Sequence, residues 1–332
     1  MKDRCLMDRK YSTRFFIPAC APEGTCGGEY KVPHSGHKGF TLVEVVVVMA
    51  IIATLTGIMI PFIYRVWEST EIDTTRERMT DLKKAMVGDS KLIQNGVRSH
   101  FGFVGDNGQL PAAAANPDFA GQYTLSDELI IASPMLYPNW NGPYMPSGYD
   151  AAKYKKDAWG RHIIYTVTTS GSRRVAASIV SAGPDGTLGT SDDIVDSELQ
   201  ISEREVTPTD AIQGNLLFVF TNAAAGPVTP NYTAMVTASY AGAFGLTTAT
   251  SGCITLNIGL INAGETKPIS QNFSGVLTAK LPVGKSVFRS ALYPNTTCSG
   301  PGIQSANEMA VFISDGLNAI SANLPTINYT IP

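Results

Sequence analysis

The sequence is poor in the residues that most often carry out catalysis. It contains four histidines, and only His100 and His162 lie beyond residue 39. Neither belongs to an H-E-x-x-H pair, and no G-x-S-x-G segment occurs, which argues against a zinc protease and a serine hydrolase. His162 stands close to Trp159, and we expect a packed role for it. The sequence therefore predicts no enzyme.

One short segment matches the end of a phosphate-loop motif. Residues 283–286 read VGKS, but Ala279 stands where the motif requires its first glycine, and the surrounding sequence is rich in β-branched residues. We interpret this segment as a hairpin turn.

Charged residues are also scarce, at 16% of the chain, and they are unevenly placed. Residues 1–39 carry seven Lys or Arg against four Asp or Glu, whereas residues 40–332 carry 18 against 24. A basic segment ahead of an apolar run keeps the N-terminus in the cytoplasm and sends the remainder across the membrane. The acidic remainder argues against nucleic acid as a partner.

The five cysteines divide at the same place. Cys5, Cys20 and Cys26 precede the apolar run, and Cys253 and Cys298 lie far behind it. A translocated domain enters an oxidising compartment, so Cys253 and Cys298 are candidates for a disulfide. The alternative is a pair of buried free thiols.

The sequence has one long apolar run, and a single carboxylate stands at its start. No charged residue occurs from Val45 to Tyr64, and about twenty apolar residues are enough to cross a membrane core. Glu44 directly precedes this run. A carboxylate costs up to about 3 kcal/mol at the hydrocarbon centre, so it requires a partner. The alternative is a single-span anchor with an incidental glutamate.

The residues before the run, Lys38-Gly39-Phe40-Thr41-Leu42-Val43-Glu44, resemble the type IV prepilin and pseudopilin signal, which is cut on the cytoplasmic side after a glycine. Gly39 matches the last leader position, Phe40 the first mature residue, Glu44 mature position five and Pro61 mature position 22. The resemblance implies cleavage by a prepilin peptidase between Gly39 and Phe40, and methylation of Phe40. In a filament, the new amine of Phe40 would pair with Glu44 of a neighbouring subunit.

Residues 1–39 make a long leader for this family. Met7 is an alternative start, and Cys5, Cys20 and Cys26 leave with the leader in either case.

Beyond Pro61, apolar residues recur at alternating three- and four-residue steps, which predicts one long helix from about Phe40 to Val97 within the segment 40–98. The members of this stripe are Ile72, Thr75, Met79, Leu82, Met86, Ile93 and Val97. We expect residues 40–64 in the membrane or filament core. The rest of the helix should pack on a globular head of residues 99–203.

Within the head, residues 161–168 and 175–181 flank Ser170-Gly171-Ser172 and predict a β-hairpin.

Three head segments resemble the major pseudopilin of type II secretion systems. They are Asp106-Asn107-Gly108-Gln109-Leu110-Pro111, Asp157-Ala158-Trp159-Gly160, and the Gly- and Asp-rich loop of residues 181–196. Ala158 departs from the proline that is usual in the second segment. The resemblance spans residues 34–196 and implies a calcium ion in the loop. The implied ligands are Asp185, Asp192, Asp193 and the carbonyl of Ala182.

The acidic loop also has a chemical case for a cation. Asp185, Asp192, Asp193 and Asp196 lie within twelve residues and would repel one another, and oxygen ligands select a hard ion such as Ca²⁺. The spacing is not that of an EF-hand. The alternative is a solvated acidic turn.

From residue 204 to 332 the chain consists of short β-rich runs separated by Gly, Asn, Pro and Thr, which predict a β-sandwich-like accessory domain. The expected fold is therefore α+β. A long N-terminal helix packs on a small antiparallel sheet with a calcium loop, and an all-β sandwich-like domain follows.

The resemblance implies a structural subunit of a type II secretion pseudopilus that polymerises through its N-terminal helix to help export folded proteins. The implied partners are further copies of the chain, minor pseudopilins, the prepilin peptidase and the inner-membrane assembly platform. The implied location is a single-pass inner-membrane anchor whose C-terminal domains are periplasmic or belong to an extracytoplasmic filament. The alternative is a type IV pilin-like adhesin or ligand-binding filament subunit that acts through its C-terminal β-domain.

Overall fold

The computed structural model describes residues 39–132, 135–146, 149–150, 152–242, 244–305, 307–314 and 319–332. Residues 1–38 of the predicted leader, which include Cys5, Cys20 and Cys26, lie outside the described residues. The described residues divide into two compact units, one that ends at Ile58 and one that spans residues 59–332.

The longest helix, α1, spans Leu42–Val87. Its apolar window has a mean hydropathy of 2.5 and contains no buried residue. Among the described residues, α1 is the one helix long and apolar enough to cross a membrane. The predicted apolar span is therefore present as a continuous helix with its side chains exposed.

The helix ends at Val87, and the prediction that it reaches Val97 was wrong. Gly88 adopts φ +84°, and a Cβ there would lie 2.3 Å from the carbonyl oxygen of His100, so the chain leaves the helix at a position that suits only glycine. Ile93 and Val97 belong instead to a small hairpin of β1 (Ile93–Gln94) and β2 (Val97–Arg98), and both are exposed. The apolar spacing continues beyond Gly88, but the helix does not.

The head contains a short helix, two antiparallel pairs of strands and a final helical turn. These elements are α2 (Gly102–Asn107), β3 (Ala113–Ala115), β4 (Tyr123–Leu125), β5 (Ile164–Ser170), β6 (Arg173–Val180) and α3 (Glu203–Val206), with 3-10 turns at Asp127–Leu129 and Ser197–Leu199. Strands β5 and β6 pair antiparallel from Ile164↔Val180 to Ser170↔Arg173. The predicted hairpin is therefore confirmed.

The head core forms where the amphipathic part of α1 meets this hairpin. Met79 and Leu82 of α1 belong to the same buried cluster as Tyr165 of β5 and Ile179 of β6. Met79 is fully buried, as the helical spacing predicted. The long helix therefore packs on a small antiparallel sheet.

The C-terminal region contains ten strands among its described residues. They are β7 (Thr209–Asn222), β8 (Thr233–Gly242), β9 (Gly245–Thr250), β10 (Ile254–Thr255), β11 (Thr266–Leu281), β12 (Gly284–Tyr293), β13 (Ile303–Gln304), β14 (Met309–Ile313), β15 (Ala319–Asn323) and β16 (Ile327–Ile331). In one sheet, β7 pairs with β11 on one side and with β15 and β16, both parallel, on the other. In the second sheet, β8 and β12 pair centrally, with β9 and β10 beside β8, and β13 and β14 beside β12.

Alternate residues of the two sheets share one core. Phe218 and Phe220 of β7 lie in the same buried cluster as Val236 and Tyr240 of β8 and Phe288 of β12. The period-two burial along β7 and β8 gives each strand one apolar inner face. The two sheets therefore pack face to face, which confirms the predicted β-rich accessory region.

Residues 283–286 do not form the predicted hairpin turn. Strands β11 and β12 on either side belong to different sheets, so this connection crosses the sandwich. Gly284 (φ +114°) and fully buried Ser286 are strand residues of β12, and Ser286 pairs with Tyr240 and Val311.

The sandwich and the head are in direct contact within the unit of residues 59–332. Val283 lies in the buried cluster of the head, and the rings of Phe101 and Phe312 stack with their centroids 6.2 Å apart. Gly108 approaches strand β8 so closely that a Cβ there would lie 2.1 Å from the carbonyl oxygen of Ala241. The accessory region is thus packed against the head.

Candidate functional site

The predicted cleavage point precedes the first turn of α1. Gly39 and Phe40 have no regular secondary structure, Phe40 is 83% exposed, and nothing lies within 4 Å of the position of a Cβ on Gly39. Within the described residues, the space beside Gly39 is therefore open. Cleavage there, and methylation of Phe40, stay predictions.

Glu44 has a local partner at the start of α1. The backbone N–H and the hydroxyl of Thr41 each donate to Oε2 of Glu44 at 3.2 Å, and the N–H of Glu44 donates to Oγ1 of Thr41 at 3.3 Å. This reciprocal arrangement is a capping box, in which the residue before the helix and the third helical residue satisfy each other's free N–H groups. Sequence reasoning missed this role, although the T-x-x-E spacing signals it.

Other polar groups of the apolar stretch are also satisfied inside the helix. The hydroxyls of Thr54 and Thr56 donate to the carbonyls of Ile51 and Ile52 at 2.9 and 2.7 Å. Pro61 lies within α1, where it has no N–H to donate to the preceding turn. A helix with its hydroxyls satisfied in this way suits an apolar environment.

The D-A-W-G segment joins α1 to the head. Asp157 is 1% exposed, and its Oδ1 accepts the N–H of Arg161 at 2.9 Å. From α1, Nη1 of Arg78 donates to the carbonyl of Asp157 at 2.7 Å, and the hydroxyl of Thr75 accepts the N–H of Ala158 at 3.0 Å. Sequence reasoning missed these contacts of Thr75 and Arg78, because no local pattern links residues separated by 83 and 79 positions. It also missed Arg161, which lies only four residues beyond Asp157.

The acidic loop is closed by hydrogen bonds to its own carboxylates. Asp185 Oδ1 accepts the N–H of Thr187 at 2.7 Å, and Asp193 Oδ2 accepts the N–H of Gly189 at 2.7 Å. Asp192 bridges the loop, because its Oδ2 accepts the N–H of Asp185 at 3.0 Å. The loop is thus an ordered structure that includes all three predicted carboxylate ligands.

Electrostatics within the loop favour the ionised carboxylate of Asp192. The hydroxyl of Thr190, at 2.6 Å, and then the N–H of Asp185 hold the pKa of Asp192 below its usual range. Ala182 is buried, and its carbonyl accepts the N–H of Gly186 at 3.2 Å.

The oxygen donors of the loop are of the kind that calcium prefers, but they do not point toward one common position. Oδ1 of Asp193 is buried without a hydrogen-bond partner, which leaves one oxygen available for a cation. However, no group of three or more His, Cys, Asp or Glu side chains within the described residues is arranged to hold a metal ion. The arrangement therefore offers oxygen donors rather than a formed metal centre.

Both histidines beyond the leader take part in structural hydrogen bonds. Nδ1 of His162 lies 2.7 Å from Oδ2 of Asp118, which also accepts the His162 N–H at 2.6 Å. Nδ1 of His100 accepts the N–H of Asp89 at 2.9 Å, just after α1. The packed role expected for His162 agrees with these contacts.

Cys253 and Cys298 are joined as a disulfide in the structure, with Cα atoms 5.8 Å apart. The pair lies wholly within the sandwich region and closes a segment of 45 residues.

Two family models match parts of the chain. The prokaryotic N-terminal methylation motif matches residues 34–60, and type II secretion system (T2SS) protein G matches residues 124–198. A comparison with curated proteins and one with solved structures found no match. Residues 199–332, which include the whole sandwich, lie outside both family matches.

The two matches agree with the geometry. The methylation motif covers the predicted cleavage point, the capping box and most of the apolar segment, and marks a single-pass inner-membrane anchor with an extracytoplasmic C-terminal region. The protein G match covers the D-A-W-G segment, the hairpin and the acidic loop. Both are families of structural, non-enzymatic subunits. The N-terminal segment and the head are therefore similar to type IV pilin-like proteins of the major pseudopilin kind, and the C-terminal β-domain lies outside that similarity.

Proposed function

We propose that this protein is the structural subunit of a type II secretion pseudopilus, which polymerises through its N-terminal helix and helps to export folded proteins. The observation that carries the proposal is the exposed apolar part of α1, which has a single carboxylate at its start and lies within the methylation motif.

The physical reason for polymerisation is the burial of this helix. Val46, Ile52, Leu55 and Ile58 are each about half exposed or more, and burial of apolar surface contributes roughly 25 cal/mol per Å². In the membrane, lipid covers these side chains. In the filament, α1 of neighbouring subunits would cover them, so that subunits leave the bilayer without exposing the helix to water.

Glu44 would set the register between neighbouring subunits. A carboxylate in an apolar bundle requires a hydrogen-bonded partner, and the amine that cleavage creates on Phe40 is the nearest complementary charge on the next helix. The partners in this proposal are further copies of the chain, minor pseudopilins, the inner-membrane assembly platform and the prepilin peptidase.

The export role is tested by deleting the gene and comparing the proteins in the culture medium by mass spectrometry. The proposal expects that a set of folded proteins disappears from the medium and accumulates in the periplasm. The wild-type chain should restore export, and Glu44→Val should not. An unchanged medium in the deletion strain would contradict the proposal.

A second candidate function is a surface adhesin or ligand-binding filament subunit. The observation in its favour is that the sandwich lies outside both family matches and exposes large apolar side chains, with Phe244 81% and Leu246 76% exposed. The same deletion strain separates the two functions. An adhesin would leave the medium unchanged and reduce binding of the cells to a surface.

We propose in addition that calcium binds the acidic loop. The residues that would hold it are Asp185, Asp192, Asp193 and the carbonyl of Ala182. The buried, unpartnered Oδ1 of Asp193 supports the proposal. The bound ion would supply positive charge among the carboxylates, and magnesium should substitute poorly because it demands tighter octahedral geometry.

Thermal melting of the detergent-extracted mature chain tests this site. Calcium at a hundredfold excess over its Kd should stabilise the folded chain by about 2.7 kcal/mol relative to chelator. Asp185→Ala should abolish the difference, and Asp210→Asn, which removes an exposed carboxylate of β7, should retain it. Identical melting curves of the wild-type chain with calcium and with chelator would show that no ion binds.

A further inference from the structure

The acidic loop already contains a positive charge, the guanidinium of Arg161. Its Nη2 donates to the carbonyl of Gly183. Its Nη1 lies so close to Gly186 that a Cβ at that position would overlap it. The guanidinium therefore lies against the loop backbone between Gly183 and Gly186, in the stretch where the predicted calcium ligands begin.

The surroundings of Arg161 fix the guanidinium in this place. Its Nε lies 3.5 Å from Oδ2 of Asp157, and its Cζ lies 5.4 Å from the centre of the Trp159 ring. Asp157 Oδ2 also accepts the hydroxyl of Ser181 at 3.0 Å, at the first residue of the loop. Nε of Arg161 makes no hydrogen bond, but the side chain is only 23% exposed, so its attraction to the Asp157 carboxylate is only partly screened by water.

Two glycines of the loop, Gly183 and Gly186, give the guanidinium of Arg161 room to contact the loop backbone. Gly183 (φ +59°) and Gly186 (φ +70°) both have left-handed backbone, and a Cβ on Gly183 would lie 2.1 Å from the carbonyl oxygen of Asp192. The loop thus turns back on itself at Gly183 and leaves space for the guanidinium at Gly186. The carboxylates of Asp185, Asp192 and Asp193 instead accept hydrogen bonds from backbone N–H groups of the loop, and Asp192 also accepts one from the hydroxyl of Thr190.

We propose that Arg161 is the resident cation of the acidic loop. The loop keeps its fold around the guanidinium in the absence of metal, and calcium adds to a loop that is already formed. The second part rests on the calcium site proposed above, whereas the first part concerns the metal-free chain alone.

Hydrogen exchange of the detergent-extracted full mature chain, followed by mass spectrometry in EDTA, tests the first part. Amides of residues 181–196 should exchange on the order of tenfold faster or more in Arg161→Gln than in the wild type, because a charge-assisted hydrogen bond is lost. Arg161→Lys keeps the charge without the planar fork and should lose less protection.

The matched control is Arg289→Gln. It removes an arginine from an ion pair with Glu308 in the β-domain and should leave exchange in the acidic loop unchanged. Protection of the β-domain strands in Arg161→Gln reports that the rest of the chain is folded. Equal loop protection in the wild type and Arg161→Gln in EDTA would overturn the proposal.

Addition of calcium chloride separates the two proposals. Calcium should restore loop protection in Arg161→Gln and bind that variant several-fold more tightly than the wild type, because a nearby positive charge disfavours a second cation. If calcium changes loop exchange in neither the wild type nor Arg161→Gln, the proposed calcium site is wrong. Faster exchange of Arg161→Gln in EDTA would still support the proposal that Arg161 is the resident cation. A wild-type loop whose amides are protected from exchange only when calcium is present would overturn the proposal that Arg161 is the resident cation.

Discussion

The carboxylate of Glu44 accepts the backbone N–H of Thr41 at 3.2 Å, while the hydroxyl of Thr41 accepts the N–H of Glu44 at 3.3 Å. Glu44 therefore has a partner within its own helix before any neighbour is present. This carboxylate satisfies the helix end within the subunit, and in the proposed filament it would instead pair with a neighbour's amine. These two roles differ in one respect, because capping requires an acceptor oxygen and pairing requires a charge.

Two substitutions at this position separate the roles. Glu44→Gln preserves the capping box, since glutamine also serves at the third helical position, but it removes the charge. Glu44→Val removes both. We expect each variant to be cleaved and held in the membrane, and to reduce the yield of sheared filaments at least tenfold, because an unpaired charge in an apolar bundle costs about 3 kcal/mol or more.

The control for this pair is Glu68→Gln, an exposed carboxylate of α1 beyond the apolar run, which should assemble normally. Normal filament yield from Glu44→Gln would show that capping, and not charge pairing, is what Glu44 supplies.

The close packing of the sandwich on the head can be tested by comparing alanine substitutions at two glycines. Gly108 has φ +65° and approaches Ala241, whereas Gly121 has φ +77° and nothing within 4 Å of a Cβ. Gly121→Ala should cost about 1 kcal/mol for the left-handed backbone alone. Gly108→Ala should cost roughly 1–3 kcal/mol more in thermal melting, because its methyl group overpacks the contact. Equal losses in the two variants would contradict the close packing at Gly108.

The disulfide of the sandwich predicts a specific response to reductant. Closing a segment of 45 residues should stabilise the folded chain by about 4 kcal/mol in the chain-entropy model. Dithiothreitol should lower the melting temperature of the mature wild-type chain and leave the Cys253→Ser/Cys298→Ser double variant unaffected. A wild-type chain whose two thiols are alkylated without reductant would show that the bridge is absent in the cell.

The Asp118–His162 contact predicts a loss of stability in acid. The N–H of His162, followed by its ring, holds the pKa of Asp118 below its usual range, and Lys156 adds to the effect. A depressed carboxyl pKa stabilises the folded state above the unfolded-state pKa of about 3.9 and loses this effect as the pH falls through the folded-state pKa. The melting temperatures of Asp118→Asn and the wild type should therefore differ at neutral pH and converge below about pH 4. Asp210→Asn serves as the control, and a difference that is constant with pH would count against the linkage.

Local chemistry explains what the sequence could predict. The apolar run after Gly39, the helical stripe through Met79 and Leu82, and the alternation in β5 and β6 each arise within a single element, so spacing alone reveals them. The capping box at Thr41 and Glu44 belongs to the same class. The leader resemblance depends on residues within one short segment for the same reason.

Contacts between distant segments explain what the sequence could not predict. Arg78 reaches the carbonyl of Asp157 across 79 residues, and Gly88 ends α1 because the backbone of His100 lies against it. Likewise, the connection before Gly284 crosses between sheets because each strand pairs with residues far away in the chain. No periodic pattern encodes such partners, and the arginine in the acidic loop was missed for this reason.

The central claim is that processed subunits assemble through α1 with Glu44 paired to the amine of Phe40 on a neighbour. Electron cryomicroscopy of filaments sheared from cells tests it most directly. The account predicts a core of packed α1 helices that begin at Phe40, with the Phe40 nitrogen within about 4 Å of a Glu44 carboxylate oxygen on an adjacent subunit. Filaments whose core lacks these helices, or in which residues before Phe40 remain attached, would contradict it.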